Sequence, residues 1–549
     1  MALNSEQLVE AGVQTGLFEQ ETVDKLKMTA RRQRSSVIDL LLAEYRLPNS
    51  ILYRAVAEKH GIKFLETSHF SINDSLFKKL PASLIKRKLV LPVTHDGEDF
   101  LLVSDPNDRS SIDSMQRLFG SPIALAMTDI KYISLIINRK ISANPGHEKV
   151  ANQNDETDLV NLLDEIIKEA YLNKASDIHL VVEEEGLRVR LRIDGKLRDY
   201  PVDADASVAA GLVSRVKVLA NLDIAEQRQP QDGGCSYKLV SPINAEFNIR
   251  VATAPTRLGE RITMRLLGQQ STGITLTDLG MLNDDLERFR QAIKNPYGMI
   301  LLTGPTGSGK STTLCAALEE INQPDINIMT VENPIEYVIE GVSQIQTGHK
   351  ISFADALRSL LRHDPDVLMV GEIRDHETAD VSVKSAMTGH LVFSTLHTNN
   401  AVSAVTRLID IGCEAFLIGS TMTAVIAQRL VRRLCQQCRQ ARPATQDELI
   451  ALNCPDQALT LYDSKGCASC QGTGFKGRLG LFETLWFDES LARLVAQGGT
   501  EEAIESAASQ SGNLKFMWQD GCEKVIAGMT TLAEVKDVAI MKTTDMVVN

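Results

Sequence analysis

No window of this sequence holds about 18 consecutive apolar residues, so no stretch of it is built to cross a bilayer as a helix. The start, MALNSEQLVEAG, lacks a basic stretch followed by an apolar core, and no long low-complexity tract interrupts the chain. A cytoplasmic chain without its own membrane span is the expectation. Positive charge is also short: 58 lysines and arginines stand against 71 aspartates and glutamates, a formal net charge of −13. That balance argues against a nucleic-acid coat, and no nucleic-acid partner is expected. A disulfide framework is excluded on similar grounds, because nine cysteines is an odd number in a large chain read as cytosolic. Metal ligands or free thiols are the alternatives. At 549 residues the chain exceeds one core, and three or four domains are expected.

What is present is organised around residues 301–314, LLTGPTGSGKSTTL. An apolar run from Gly298 to Leu302 reads as a buried strand, a glycine-rich turn follows, and a helix-compatible run begins after Lys310. Gly304, Gly307 and Gly309, with Pro305, Thr306 and Ser308 between them, let the backbone turn its N–H groups inward as a phosphate cradle requires. Lys310 supplies a charge for the β- and γ-phosphates, Ser311 a hydroxyl for Mg²⁺, and Thr312 continues the helix N-terminus, whose dipole favours an anion.

Along the chain, residues 1–65 read as a helical module and 66–140 as a small α/β domain with an Asp96-Gly97 hairpin turn. Residues 141–157 carry no apolar periodicity and read as a linker. The block 158–272 opens with an amphipathic helix and continues with strands at SDIHLVVEEE, LRVRLRIDGKL, FNIRVATAP and RITMRLL. From 278 to 549, apolar β-rich runs alternate with helical runs as in a sheet covered on both faces. Within it, 430–485 is rich in cysteine and glycine and 487–549 is a helical tail.

Several side chains carry candidate chemistry. Glu372, just past the run Val367–Val370, is placed to hold Mg²⁺ through water and to polarise an attacking water. In TVENPIEY, Glu332 and Glu336 follow a strand too, although acidity at a helix start near Pro334 would look the same. His390 and His397 flank another strand; each is either an ordinary core or surface histidine, or the two sense the γ-phosphate or relay to a neighbouring subunit. Arg250 and Arg265 on strands either line a solvated sheet face or reach phosphate oxygens as fingers, and Arg358 and Arg362, four apart on one helix, are candidates for γ-phosphate or interface contacts. Cys435-x-x-Cys438 and Cys467-x-x-Cys470 form two knuckles separated by 28 residues, each able to give two thiolates to one tetrahedral Zn²⁺. Four soft ligands leave no open position, so such a site would be structural. The other five cysteines lack partner spacing.

From about residue 158 to the end, these ordered motifs resemble the secretion ATPase superfamily of type II secretion and type IV pilus assembly. The resemblance rests on SDIHLVV, RLRIDGKL, RVKVLANLDIAEQRQPQDG, GPTGSGKSTTL, VENPIEY, LMVGEIRDHETA, TGHLVFSTLHTNNA, the cysteine tetrad and GFKGRLGLFE. It implies a homohexameric ATP motor in which a PAS-like block is hinged to a RecA-like block, with ATP between them. Rotation on hydrolysis would push an inner-membrane platform protein, keeping the chain peripheral at that membrane. Carried over, Lys310 and Ser311 contact phosphate and Mg²⁺, and Glu372 is the Walker B glutamate. Glu332 and Glu336 belong to the aspartate box, and His390 and His397 to the histidine box. Arg250, Arg265, Arg358, Arg362 and Arg374 match arginines used around the γ-phosphate or between subunits. Two departures stand out: Asn333 replaces the usual aspartate, and Gly234 the usual arginine after PQDG. They motivate the alternative of a catalytically weak nucleotide-binding scaffold. Residues 65–140 resemble the family's N-terminal domain, which docks on a membrane-anchored cytoplasmic protein. The helical part before it weakly resembles modules that bind cyclic di-GMP, which would make it a gate on the motor.

Overall fold

The computed structural model describes residues 3–541 apart from 34, 66–69, 121, 143–155, 185, 203, 241, 269–273 and 349. Most of the linker expected at 141–157 therefore lies outside the described residues. The chain divides into two compact units, Met1–Gln269 with Lys465–Gly474, and Gln270–Ser464 with Phe475–Asn549.

The first unit opens with four helices, Ser5–Gln14, Gln20–Gln33, Val37–Glu44 and Ser50–Lys59, the first capped by the Asn4 side chain on the Gln7 N–H. A five-stranded sheet follows, made of β1 (Lys63–Phe64), β2 (Ser71–Ile72), β3 (Leu91–His95), β4 (Glu98–Leu102) and β5 (Ala124–Met127), in the order β1-β5-β4-β3-β2. The Asp96-Gly97 turn joins β3 to β4 with both residues at positive φ, 51° and 80°, which matches the right-handed strand twist. Helices and sheet share one core, in which Leu41 and Ile51 meet Leu91 and Leu101. Ala468, at the tip of the second cysteine knuckle, is 2% exposed in that same core, and its N–H donates to Glu58 Oε2 at 2.9 Å.

A six-stranded antiparallel sheet completes the unit. Its strands are β6 (Asp177–Glu183), β7 (Gly186–Ile193), β8 (Lys196–Tyr200), β9 (Gln231–Leu239), β10 (Ala245–Thr256) and β11 (Gly259–Leu267), in the order β8-β7-β6-β11-β10-β9. Helices Glu156–Leu172 and Ala206–Leu219 bury Ile166, Ile167, Leu212 and Val216 against it. Strand β9 was not expected from the sequence. Its motif QDGGCSYKL contains two glycines, which depress strand propensity. A Cβ at Gly233 would come within 2.5 Å of the Ala220 carbonyl, so close backbone approach explains one of them. Across the sheet, register aligns Gly234, Arg250, Arg265, Asp177 and Arg192 in one row. Buried Asp177 accepts from Arg265 Nε at 3.0 Å and lies 3.8 Å from Arg192 Nε, offsetting like charges on adjacent strands.

Helix Glu156–Leu172 also carries a buried carboxyl, Glu169. Burial, reinforced by the Asp129 charge and opposed by Lys131, pushes it up to about 7. Folding then costs nothing extra while both states are protonated, below about pH 4.5, and costs progressively more up to about pH 7. Glu169→Gln is therefore expected to raise unfolding free energy at pH 8, by on the order of 3 kcal/mol at most, and with it Tm, and to leave both unchanged near pH 4. Tm measured across that range checks this; an equal shift at both ends would contradict it.

The second unit is built on an eight-stranded sheet in the order β14-β13-β15-β16-β12-β17-β20-β21. The parallel members are β12 (Gly298–Thr303), β13 (Ile328–Glu332), β14 (Ser343–Gln346), β15 (Val367–Val370), β16 (Leu391–Leu396) and β17 (Met422–Leu434). Every residue of β12, β13, β15 and β16 is buried, as both faces are covered by helices. A separate two-stranded sheet, β18 (Gln440–Pro443) with β19 (Thr460–Asp463), leads to β20 (Phe475–Trp486) and β21 (Leu514–Lys515). The structure corrects one boundary here. Residues 475–485 were expected within the cysteine-rich segment, yet β20 pairs antiparallel with β17 over most of its length and buries Leu479, Leu481, Phe482 and Leu485 in the large sheet. Parallel order brings the C-terminal ends of β12, β13, β15 and β16 to one edge, where open α/β sheets place their ligands.

Candidate nucleotide site and cysteine cluster

Between β12 and the helix Lys310–Ile321, the loop turns on Gly304, Gly307 and Gly309 at φ of 142°, 79° and 91°. A Cβ at Gly304 would sit 2.5 Å from the Gln428 carbonyl oxygen, and one at Gly309 would sit 2.8 Å from Gln428 Nε2. Glycine is required at both on steric and conformational grounds. Gln428, buried on β17, also accepts from Thr313 Oγ1 at 2.8 Å and so fixes the helix beneath the loop. Ser308 Oγ is buried without a hydrogen-bond partner among the described residues. Lys310 Nζ donates to the carbonyls of Gly304 (2.7 Å) and Pro305 (3.2 Å), inside its own loop. Burial pushes this ammonium down to about 8, against the attraction of Glu372 and Glu336 and with the added repulsion of Arg429. An anion of high charge density entering the loop would restore its full charge. Pro305, Thr306 and Ser311 are exposed and Thr312 half-buried, so the loop and the first helical turn open to solvent.

Glu372 stands two residues past β15. Hydrogen bonds from Ser394 Oγ to the Val370 carbonyl (2.8 Å), from Thr395 Oγ1 to the Gly371 carbonyl (2.7 Å) and from the Ile373 N–H to the Thr395 carbonyl (3.0 Å) tie its turn to β16. Its carboxylate meets Arg374 Nη2 at 2.5 Å and His397 Nε2 at 3.4 Å. Glu332 closes β13 and is buried; burial foremost raises its carboxyl, while Gln344, Thr330 and the Glu336 N–H hold it back. No helix starts at Glu336, which lies in an exposed loop, so helix-start acidity does not explain it.

Not every candidate converges. His390 precedes β16 at the opposite end from the loop: its carbonyl accepts from the Gly298 N–H at the start of β12, and its Nδ1 lies 3.0 Å from the Ser385 carbonyl. A six-residue strand, about 20 Å, separates it from His397, so the two histidines do not meet at one phosphate within this chain. Arg358 pairs with Asp355 (3.3 Å) and Glu377 (2.7 Å), and Arg362 donates to the Arg358 carbonyl (3.0 Å). Both serve the end of the helix Phe353–Leu360. Arg250 and Arg265 belong to the six-stranded sheet of the first unit, where Arg250 is exposed and 3.6 Å from Asp232. Sequence reading missed Gln428, Gln344 and the Thr303–Thr398 hydroxyl pair at 2.7 Å, because neutral polar residues on apolar strands give no pattern of their own.

The four cysteines of the two knuckles gather their sulfurs within 4.8 Å of one another. Cys467 Sγ and Cys470 Sγ are 3.8 Å apart, the edge of a tetrahedron with metal–sulfur bonds of about 2.3 Å. The Cys470 sulfur also accepts from the N–H groups of Cys467 and Gly474, each at 3.2 Å, as a ligating thiolate does. The donor set fits a four-coordinate soft metal ion.

The sequence profile described as "Type II/IV secretion system protein" matches residues 152–537, and that of the MshEN domain matches residues 60–141. The type II secretion system protein E of Pseudomonas aeruginosa is 45% identical over 394 residues, 71% of this chain and 77% of that protein. The type IV pilus assembly ATPase PilB of Myxococcus xanthus is 34% identical over 560 residues, 97% of this chain and 98% of that one. In fold, the ATPase DotB of Legionella pneumophila aligns with a TM-score of 0.52 at 23% identity, over 69% of this chain and 95% of that one. No helix among the described residues is long and apolar enough to cross a membrane. With a phosphate loop after β12, an acidic residue past the end of β15 on the same edge of the sheet and these relatives in view, the chain belongs to the type II/IV secretion system family of ATPases.

Proposed function

We propose that this ATPase is a Mg²⁺-dependent, homohexameric motor that powers assembly of a type IV pilus or a type II secretion pseudopilus. The observation that carries the reading is that the glycine cradle with Lys310, after β12, and Glu372, after β15, stand on the same edge of the sheet with only β16 between them, near enough for the Glu372 charge to act on the Lys310 ammonium. In it, loop N–H groups and Lys310 hold the β- and γ-phosphates, and Ser311 holds Mg²⁺, which supplies charge neutralisation on the phosphate oxygens. Glu372 orients the attacking water, Glu332 and Glu336 assist it, and His397 and Arg374 fix the Glu372 carboxylate. Water then displaces ADP from the γ-phosphorus. Arg250, Arg265, Arg358 and Arg362 are assigned to charge stabilisation or subunit contacts, and a structural Zn²⁺ to the four cysteines. The partners are an inner-membrane platform protein and a membrane-anchored docking protein, which keep the motor at the inner membrane.

Steady-state phosphate release by the purified full-length chain tests the central assignment. Turnover that requires Mg²⁺ is expected; none under any nucleotide condition would favour the scaffold reading suggested by Asn333 and Gly234. The N-terminal region is proposed to gate the motor by binding cyclic di-GMP, and the MshEN match at 60–141 extends the candidate region beyond the helices at 1–65. Calorimetry of the full chain with cyclic di-GMP should give saturable heat, and its absence removes the gate.

A further inference from the structure

Glu332 does not hold its position alone. Its Oε1 accepts from Thr330 Oγ1 at 2.7 Å and from Gln344 Nε2 at 2.8 Å. Gln344 lies on β14, the edge strand of the sheet, in register with Thr330 across the parallel ladder. Three hydrogen bonds engage its amide. Besides the bond to Glu332, Nε2 donates to the Tyr337 carbonyl at 2.8 Å, and Oε1 accepts from the Ile339 N–H at 2.9 Å. Two residues on, and therefore on the same face, Gln346 Oε1 accepts from the Ile335 N–H at 3.1 Å. The Thr347 N–H closes the arrangement on the Glu332 carbonyl at 2.8 Å.

The two glutamines thus fasten the loop after Glu332 at residues 335, 337 and 339. That loop presents Glu336, and its Tyr337 hydroxyl lies 3.2 Å from Thr312 Oγ1 on the first turn of the phosphate-loop helix. A neutral amide suits the task. It can donate to a carboxylate and accept from a backbone N–H in the same plane, which neither a lysine nor an aspartate can do.

We propose that Gln344 is a positioning residue for hydrolysis: it aims the Glu332 carboxylate and locks the loop carrying Glu336 and Tyr337 against the phosphate-loop helix. This rests on the reading of Glu332 as a catalytic carboxylate. Gln344 touches no reacting atom and acts through Glu332 and through the loop that follows it.

A double-mutant cycle on the full-length chain tests it, with kcat and the KM for ATP measured separately. Gln344→Leu keeps the bulk and deletes the amide. It is expected to lower kcat about tenfold to a hundredfold, the range of a hydrogen bond to a charged group, with KM changed by less than about threefold. In a Glu332→Gln background the same substitution should cost clearly less, because the charged acceptor has gone and only the fastening of the loop through Tyr337 and Ile339 remains to be lost. Gln346→Leu, which loosens the loop without touching Glu332, should cost less than Gln344→Leu. If Glu332→Gln leaves kcat intact, the reading of Glu332 fails; if Glu332→Gln costs activity while Gln344→Leu does not, the positioning proposal alone fails. Full additivity of the two losses would show a merely structural glutamine and also overturn it. Should Gln344→Leu not fold, Gln344→Glu completes the cycle: it keeps the acceptor for Ile339 and replaces the donor facing Glu332 by an acceptor, so the same kcat loss and the same non-additivity are expected.

Discussion

Lys310→Ala is expected to leave a folded chain that releases no measurable phosphate from ATP and binds the nucleotide weakly. Its ammonium is buried in the loop it serves, with no protein anion in direct hydrogen-bond contact among the described residues and two of the loop's own carbonyls as partners. Burial has already desolvated this ammonium, so phosphates in the loop gain an interaction little diluted by water. Removing it costs both ground-state and transition-state binding, so KM rises and kcat falls together. Glu372→Gln should behave differently. The amide can still meet His397 but cannot draw a proton from water. Nucleotide affinity should be retained while turnover drops by about 10²–10⁴-fold. Fluorescent-nucleotide binding alongside phosphate release separates the two; a Glu372→Gln variant with unimpaired turnover would refute the assignment of that carboxylate.

Cys467→Ser, or prolonged treatment with a strong chelator, is expected to release about one zinc per chain and disorder the two knuckles while the eight-stranded sheet persists. The segment between them holds little of its own: a two-stranded sheet, one short helix and the Arg442 contacts to Glu448 (2.6 Å) and Asp463 (2.6 Å). Leu452, Leu461 and Ala468 anchor it in neighbouring cores, but the knuckles themselves bury little apolar surface, and metal binding there is then folding free energy. Hydrogen exchange at the knuckles, 435–440 and 465–474, should rise well above its value in the zinc-loaded chain, whereas β12 and β16 keep their protection. Metal analysis giving no zinc in the untreated chain, or exchange unchanged by chelation, would rule out the structural site.

Much of this was legible from residues because two signals are local. The phosphate loop is written in glycines whose positive φ and steric contacts leave no other residue type, and the cysteine spacing is fixed by the bite of a knuckle. Buried parallel strands showed as continuous apolar runs. What stayed hidden depends on long-range pairing. Strand β9 is specified by its partner β10 rather than by its own glycine-rich sequence, and β20 is claimed by β17 from the far side of the cysteine-rich insertion. The histidines illustrate the same limit: seven residues apart in sequence, they sit at opposite ends of a strand, and only the register shows which one reaches Glu372.

The cysteine hairpin's tip has a practical bearing on how the protein can be divided. Ala468 sits in the hydrophobic interior formed by the N-terminal helices, with Glu58 capping its amide. A shortened form beginning near residue 158 would bare that alanine and strand the amide, so it should prove stickier and less soluble than the intact polypeptide even with every ATPase motif in place. The leading segment thus acts as a cover for chemistry encoded more than four hundred positions downstream.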